Sequence, residues 1–161
     1  MDNTVNNMKS VEESKAEQAY TLRAEHLNGY GRLFGGYLMQ WMDELAVVVS
    51  KRHCNSEVTT AAIDNLCFKE GAHLGDMVVL VGKMTYVGKT SMEVRIDAYR
   101  EDSNGIRKSI NRAYFIMVAI GDDERPRPVP GLIIKTEAEK AEWESGQKRY
   151  ELRKTRKIEG F

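Results

Sequence analysis

The stretch HLNGYGRLFGGYLMQWMDELA, residues 26–46, places four glycines within positions 29–36 and then turns into an apolar run. With Leu38 at the origin of a helical wheel, Met42, Leu45, Ala46 and Val49 fall in one stripe, while Gln40, Glu44 and Lys51 fall opposite. That spacing predicts a helix from Gly36 to about His53. A helix this apolar over most of its circumference has to be wrapped by other structure, and a sheet is the natural wrapper.

The flanking sequence supplies the strands. AYTLRAEHL ahead of the glycines alternates in part, and EVTTAAIDNLCF (57–68) is rich in β-branched and apolar residues. MVVLVGKMTYVG (77–88), TSMEVRIDAYRE (90–101) and RKSINRAYFIMVAI (107–120) alternate or run apolar, with DSNG (102–105) as a turn between the last two. KEGAHLGD (69–76) reads as a loop, and DDERPRPVPGL as a proline-spaced linker. A charged helix from 136 to about 157 closes the chain, with Thr136 and Glu139 in capping-box spacing. Its acidic first half and basic second half complement the helix dipole and read as a solvated surface rather than a phosphate-binding arm. The expected architecture is α+β: a polar mobile tail (1–16), one domain (17–134) and the terminal helix (135–161).

Lysine plus arginine equals aspartate plus glutamate, 24 each, so no global field draws the chain to nucleic acid or to a membrane. Neither a leader segment nor an apolar run of membrane-spanning length is visible. Cys54 and Cys67 lack metal-ligand spacing; Cys67 reads as a buried thiol, and a reducing, cytoplasmic setting is expected.

Several apparent motifs fail on spacing. VGKT (87–90) lacks the glycine a phosphate loop needs at position 83, which is Lys83, and it joins two strands. GYG (29–31) lacks the third glycine of a dinucleotide fingerprint, because position 34 is Phe34. His26, His53 and His73 have no metal spacing and read as surface or turn residues, and no serine sits in a GxSxG elbow.

Asp43 is the exception. It lies at the edge of the apolar arc with Met39 and Val47 one turn away on either side, so its carboxylate is expected to be partly stripped of water. Taken alone, an acid there serves equally well as an interfacial ion-pair partner. Gly35 and Gly36 add unpaired N–H groups at the start of the helix, suited to a developing oxyanion, and Asn28 adds an amide that can orient water or a carbonyl. Gly36 and Asp43 are seven positions apart, about 10 Å along a helix axis. One carbonyl cannot easily engage both within one helix, so a dimer with its sites across the interface is expected.

NGYGRLFGGYLMQWMDELA resembles the N-x-x-G-x-x-F-G-G…M-D-x-x-A signature of hotdog-fold acyl-CoA thioesterases. Asn28, Gly31, Phe34, Gly35, Gly36, Met42, Asp43 and Ala46 fall on it, and TAAIDNLCF, GD (75–76), VGKTSMEV and RPRPVPGL follow in family order. The resemblance implies a single hotdog domain, an antiparallel sheet wrapped around a long central helix, paired into homodimers and often into hexamers as trimers of dimers. It implies hydrolysis of acyl-CoA to free acid and CoA with no metal and no cofactor. Asp43 would be the general base or the nucleophile, and Asn28 of a second protomer would position water or thioester. Gly35 or Gly36 N–H would polarise the carbonyl, with Thr60 in a supporting position and Asp64 either structural or supporting. Val87, Gly88, Lys89, Thr90 and Ser91 would line the CoA channel. The chain departs from the family at Glu70 and Gly71, where many relatives carry proline, which alters one substrate loop. A non-catalytic acyl-CoA sensor on the same fold is the alternative that both Asn28 and Asp43 argue against. A hydro-lyase on this fold would need a histidine and an acid facing the substrate, and it ranks last because no histidine follows the helix-entry pattern.

Overall fold

The computed structural model describes residues 8–161. In chain order the elements are β1 (Lys9–Ser10), α1 (Val11–Ser14), β2 (Ala16–Thr21), a 3-10 turn (Ala24–His26), α2 (Gly35–Cys54), β3 (Glu57–Asp64), β4 (Met77–Val87), β5 (Ser91–Glu101), β6 (Arg107–Ile120), β7 (Leu132–Ile133) and α3 (Glu137–Glu159). Five strands form one antiparallel sheet in the order β2-β4-β5-β6-β3, leaving β3 as an edge. This curled sheet around α2, with α3 appended, is the α+β hotdog architecture.

The stripe on α2 makes the core. Met42, Leu45, Ala46 and Val49 are fully buried, against Val78, Leu80, Met84, Val94, Ile96 and Phe115 of the sheet. Each large apolar side chain so buried contributes about 1.5–3 kcal/mol. Gly82 permits this approach: a Cβ there would lie 2.9 Å from Ile96 Cδ1 and 3.0 Å from Val49 Cγ2. Gln40, Glu44 and Lys51 are exposed on the far side. The helix stops at Asn55, which adopts the left-handed conformation (φ 51°) and donates its N–H to Lys51 O.

Three expectations need correction. Within the supposed tail, residues 9–14 are structured: β1 pairs in parallel with β7, and Ser10 and Glu13 form a capping box closed by bonds of 2.6 and 3.0 Å to Glu13 Oε2. Val11 and Ser14 are buried, Val11 within the core, and Lys9 Nζ reaches the C-terminal end of α2. Residues 1–7 of that expected tail lie outside the described residues. Cys67 is exposed, because Asn65 turns left-handed (φ 59°) and ends β3 before the cysteine is reached. His53 is wholly buried, its Nε2–H donating to Pro130 O at 2.9 Å.

The terminal helix is less solvated than its charge suggests. Thr136 Oγ1 accepts the Glu139 N–H as foreseen, but the Glu139 carboxylate returns to Lys135 N–H rather than to Thr136. Between Glu139 and Arg153 one side of α3 docks on the outer face of the sheet. Arg149 makes two hydrogen bonds to Glu93 (2.9 and 2.8 Å) and lies over the Tyr114 ring, and Arg153 bonds Asp64 at 2.7 Å. Gly146 allows the contact, since a Cβ there would stand 2.6 Å from Tyr86 Cβ.

Candidate active site

Before α2 the chain folds into a tight turn. Asn28 Oδ1 accepts the N–H groups of Tyr30 (2.9 Å) and Arg32 (3.2 Å), and Gly31 takes a positive φ of 71° that a side chain would resist. The amide carbonyl of Asn28 is therefore occupied, which leaves its NH₂ as the group free to meet a ligand.

The start of α2 is open. Phe34 stands at the N-cap, where Ser, Thr, Asp or Asn would normally accept an N–H, and no side chain caps this end. Tyr37 and Leu38 N–H groups reach Phe34 O, but among the described residues Gly35 and Gly36 N–H have no hydrogen-bond acceptor. No acid lies in the first turn to neutralise the dipole. Phe68 covers Gly35 so closely that a Cβ would sit 3.0 Å from its ring, and at Gly36 a Cβ would sit 2.4 Å from the ring of Phe34. Two donors thus point out of a shallow aromatic-edged recess.

Asp43 lies about two turns further along α2, half-buried beside the edge strand. Thr60 on β3 donates its hydroxyl to Asp43 Oδ1 at 2.5 Å, which orients the carboxylate and leaves Oδ2 without a partner among the described residues. A half-exposed carboxylate with one oxygen held and the other free has the geometry of a general base awaiting water.

The predicted residues separate into three places. Asp43 and Thr60 are in contact; Asn28 and Gly35 border a cavity of about 560 Å³ at the start of α2. Asp64 belongs to neither. Its carboxylate is held by Arg153 on the outer face, where it ties α3 to β3, the structural one of its two implied roles. In the connection Val87–Ser91 the backbone groups are partly spent: Gly88 N–H bonds Ser91 O, Lys89 O accepts Val129 N–H, and Thr90 O accepts Ala119 N–H. Sequence reasoning missed Arg32, Lys69, Arg100 and Lys108, which border the same cavity as Asn28. The one hint was the departure at Glu70 and Gly71 in the adjoining loop. Among the described residues no group of three His, Cys, Asp or Glu side chains is arranged to hold a metal, and no helix is long and apolar enough to cross a membrane.

Comparisons with known proteins identify the family. The thioesterase superfamily model matches residues 30–106. An uncharacterized acyl-CoA thioester hydrolase of Bacillus subtilis is 32% identical over 146 residues, covering 90% of this chain and 85% of that protein. The acyl-CoA hydrolase of Staphylococcus aureus, solved with butyryl-CoA, CoA and CoA disulfide, superimposes with a TM-score of 0.89 at 32% identity, over 95% of this chain and 94% of that one. That hydrolase has also been solved as single alanine variants of an aspartate, an asparagine and a threonine. A hexameric acyl-CoA thioesterase solved without ligand gives a TM-score of 0.87 at 35% identity, over 92% and 97% of the two chains. The chain spans only 22–33% of the length of the mammalian thioester hydrolases and thioesterase it matches at 31–34% identity. With this fold, this open helix start and these relatives, the chain belongs to the hotdog-fold acyl-CoA thioester hydrolases of the thioesterase superfamily.

Proposed function

We propose that the protein hydrolyses acyl-CoA thioesters to the free carboxylic acid and CoA. The observation that carries this reading is the Asp43 carboxylate, oriented through one oxygen by Thr60 and open at the other. Asp43 Oδ2 takes a proton from water as the water oxygen attacks the thioester carbonyl carbon. The resulting oxyanion is met by the uncapped N–H groups of Gly35 or Gly36, whose preorganised dipoles act where charge develops. Collapse breaks the C–S bond, and the thiolate leaves with the proton that Asp43 carried. Asn28 NH₂ positions the carbonyl or the water.

Because Gly36 and Asp43 of one helix stand about 10 Å apart, the two halves meet when two protomers pair. We infer a homodimer in which Asn28, Gly35 and Gly36 of one chain face Asp43 and Thr60 of the other, assembled further into a hexamer as a trimer of dimers. A hexameric relative supports the higher assembly, and the alanine variants made in the Staphylococcus aureus hydrolase concern the same three residue types as Asp43, Asn28 and Thr60. A thiol-release assay over acyl-CoA chain lengths tests the reading. Wild type releases CoA, and Asp43→Asn lowers kcat by about a hundred- to ten-thousandfold, the usual worth of a general base, while still binding CoA. CoA binding with no turnover of any chain length by wild type would make the protein a sensor instead.

A further inference from the structure

Thr60 and Asp64 are four positions apart on β3, so in a regular strand both side chains would face the same side of the sheet. They face opposite sides. Thr60 turns inward to Asp43 on α2 at 2.5 Å, and Asp64 turns outward to Arg153 on α3 at 2.7 Å. The pairing with β6 shows how. Thr60 stands opposite Met117 and Ala62 opposite Ile116, so Ala61 is an extra residue, a bulge that reverses the alternation beyond it. After it Ile63 stands opposite Phe115 of the core, and Asp64 stands opposite Tyr114, whose ring lies under Arg149 of α3.

Two contacts therefore bracket the bulge, one on each face. β3 is an edge of the sheet, paired within the chain with β6 alone, so one ladder holds its register. A regular strand that kept Thr60 inward would turn Asp64 to the apolar core, and one that kept Asp64 outward would turn Thr60 away from Asp43. Among the described residues the ion pairs from α3 to β3 all converge on Asp64: Arg153 at 2.7 Å and, more distantly, Arg156 at 3.8 Å. The other anchors of α3 lie on β5, where Glu142 pairs with Arg95 and Arg149 with Glu93. We propose that Arg153 is a positioning residue for the hydrolysis: by holding Asp64 on the outer face it fixes the bulged register of β3, and that register sets the Thr60 hydroxyl against Asp43. With Asp64 released, the one-residue offset is no longer fixed, and Thr60 loses its single position on the carboxylate.

The proposal rests on the acyl-CoA hydrolase reading, and its test separates the two. Steady-state kinetics on an acyl-CoA compare wild type, Arg153→Gln, Asp64→Asn and Glu142→Gln, each also in a Thr60→Val background, with folding checked by thermal unfolding. Arg153→Gln and Asp64→Asn should each lower kcat by about tenfold with KM unchanged, and should have no further effect once the Thr60 hydroxyl is gone. Glu142→Gln, which loosens α3 from β5 alone, should leave kcat unchanged. Equal fractional losses with and without Thr60, a loss of the same size in Glu142→Gln, or a change in stability alone would overturn the proposal. If wild type turns over no acyl-CoA, amide hydrogen exchange decides. Faster exchange from Thr60 to Asp64 in Arg153→Gln, with β5 unchanged, upholds the control of β3 by α3 even as the hydrolase reading fails. Unchanged exchange in β3, or faster exchange across the whole sheet, sinks it.

Discussion

The outer face of the sheet and the site at the edge of α2 use the same chemistry to opposite ends. Under α3, Glu93 is almost fully buried, yet both its oxygens are bound by Arg149 and one also accepts the Thr85 hydroxyl at 2.7 Å. Asp64 is likewise held by Arg153. At the inner site, among the described residues, Asp43 has one oxygen bound, and Gly35 and Gly36 have N–H groups with no acceptor. Saturated charges hold a helix to a sheet; an unsaturated carboxylate and unsaturated donors leave bonding capacity open, which the proposed hydrolysis uses.

The largest test of this contrast removes a saturated partner. Glu93→Ala leaves Arg149 uncompensated over Tyr114, and chemical unfolding should show a loss of about 3 kcal/mol or more. A loss below about 1 kcal/mol would mean that the network adds nothing beyond an ordinary surface pair. A smaller effect is expected at the inner site. Thr60→Val frees the Asp43 side chain, so kcat should fall by about ten- to a hundredfold while the melting temperature barely moves. A change confined to stability would make Thr60 structural.

The smallest effect belongs to an intermediate case. Buried His53 bonds Pro130 through Nε2, while its Nδ1 has no partner among the described residues. Burial pushes its pKa below the ordinary 6.5, an effect that outweighs the opposing pull of the Pro130 carbonyl. Below that pH the unfolded chain takes up a proton that the folded chain refuses, so stability is complete above 6.5 and declines as pH falls beneath it. Unfolding measured from pH 7.5 to 5.5 should show this decline in wild type and a shallower one in His53→Gln. Identical slopes would remove His53 from the account.

What the sequence revealed followed from local periodicity. Arg107–Ile120 is a strand over the full predicted range, and the α2 stripe from Leu38 to Val49 is buried as its spacing requires. The contact between Thr60 and Asp43 joins residues 17 apart, and family resemblance, not pattern, named that pair. The partners of α3 were invisible because Arg149 and Glu93 are 56 positions apart, and an arginine destined for burial looks like any other in a charged helix. Cys67 and His53 fooled the reading for opposite reasons. A left-handed Asn65 carried the cysteine off its strand, and a carbonyl 77 residues away drew the histidine inside. The four cations bordering the cavity were hidden because each comes from a different segment.

The central claim is that two chains share one site, and mixing inactive protomers tests it most directly. Asn28→Ala and Asp43→Asn protomers are combined in equal amounts, unfolded and reassembled, with heterodimers counted by native mass spectrometry. A shared site predicts one intact copy in every heterodimer and recovery of about a quarter of wild-type thioesterase activity from two nearly inactive parents. Heterodimers that form in full yet recover nothing would contradict it.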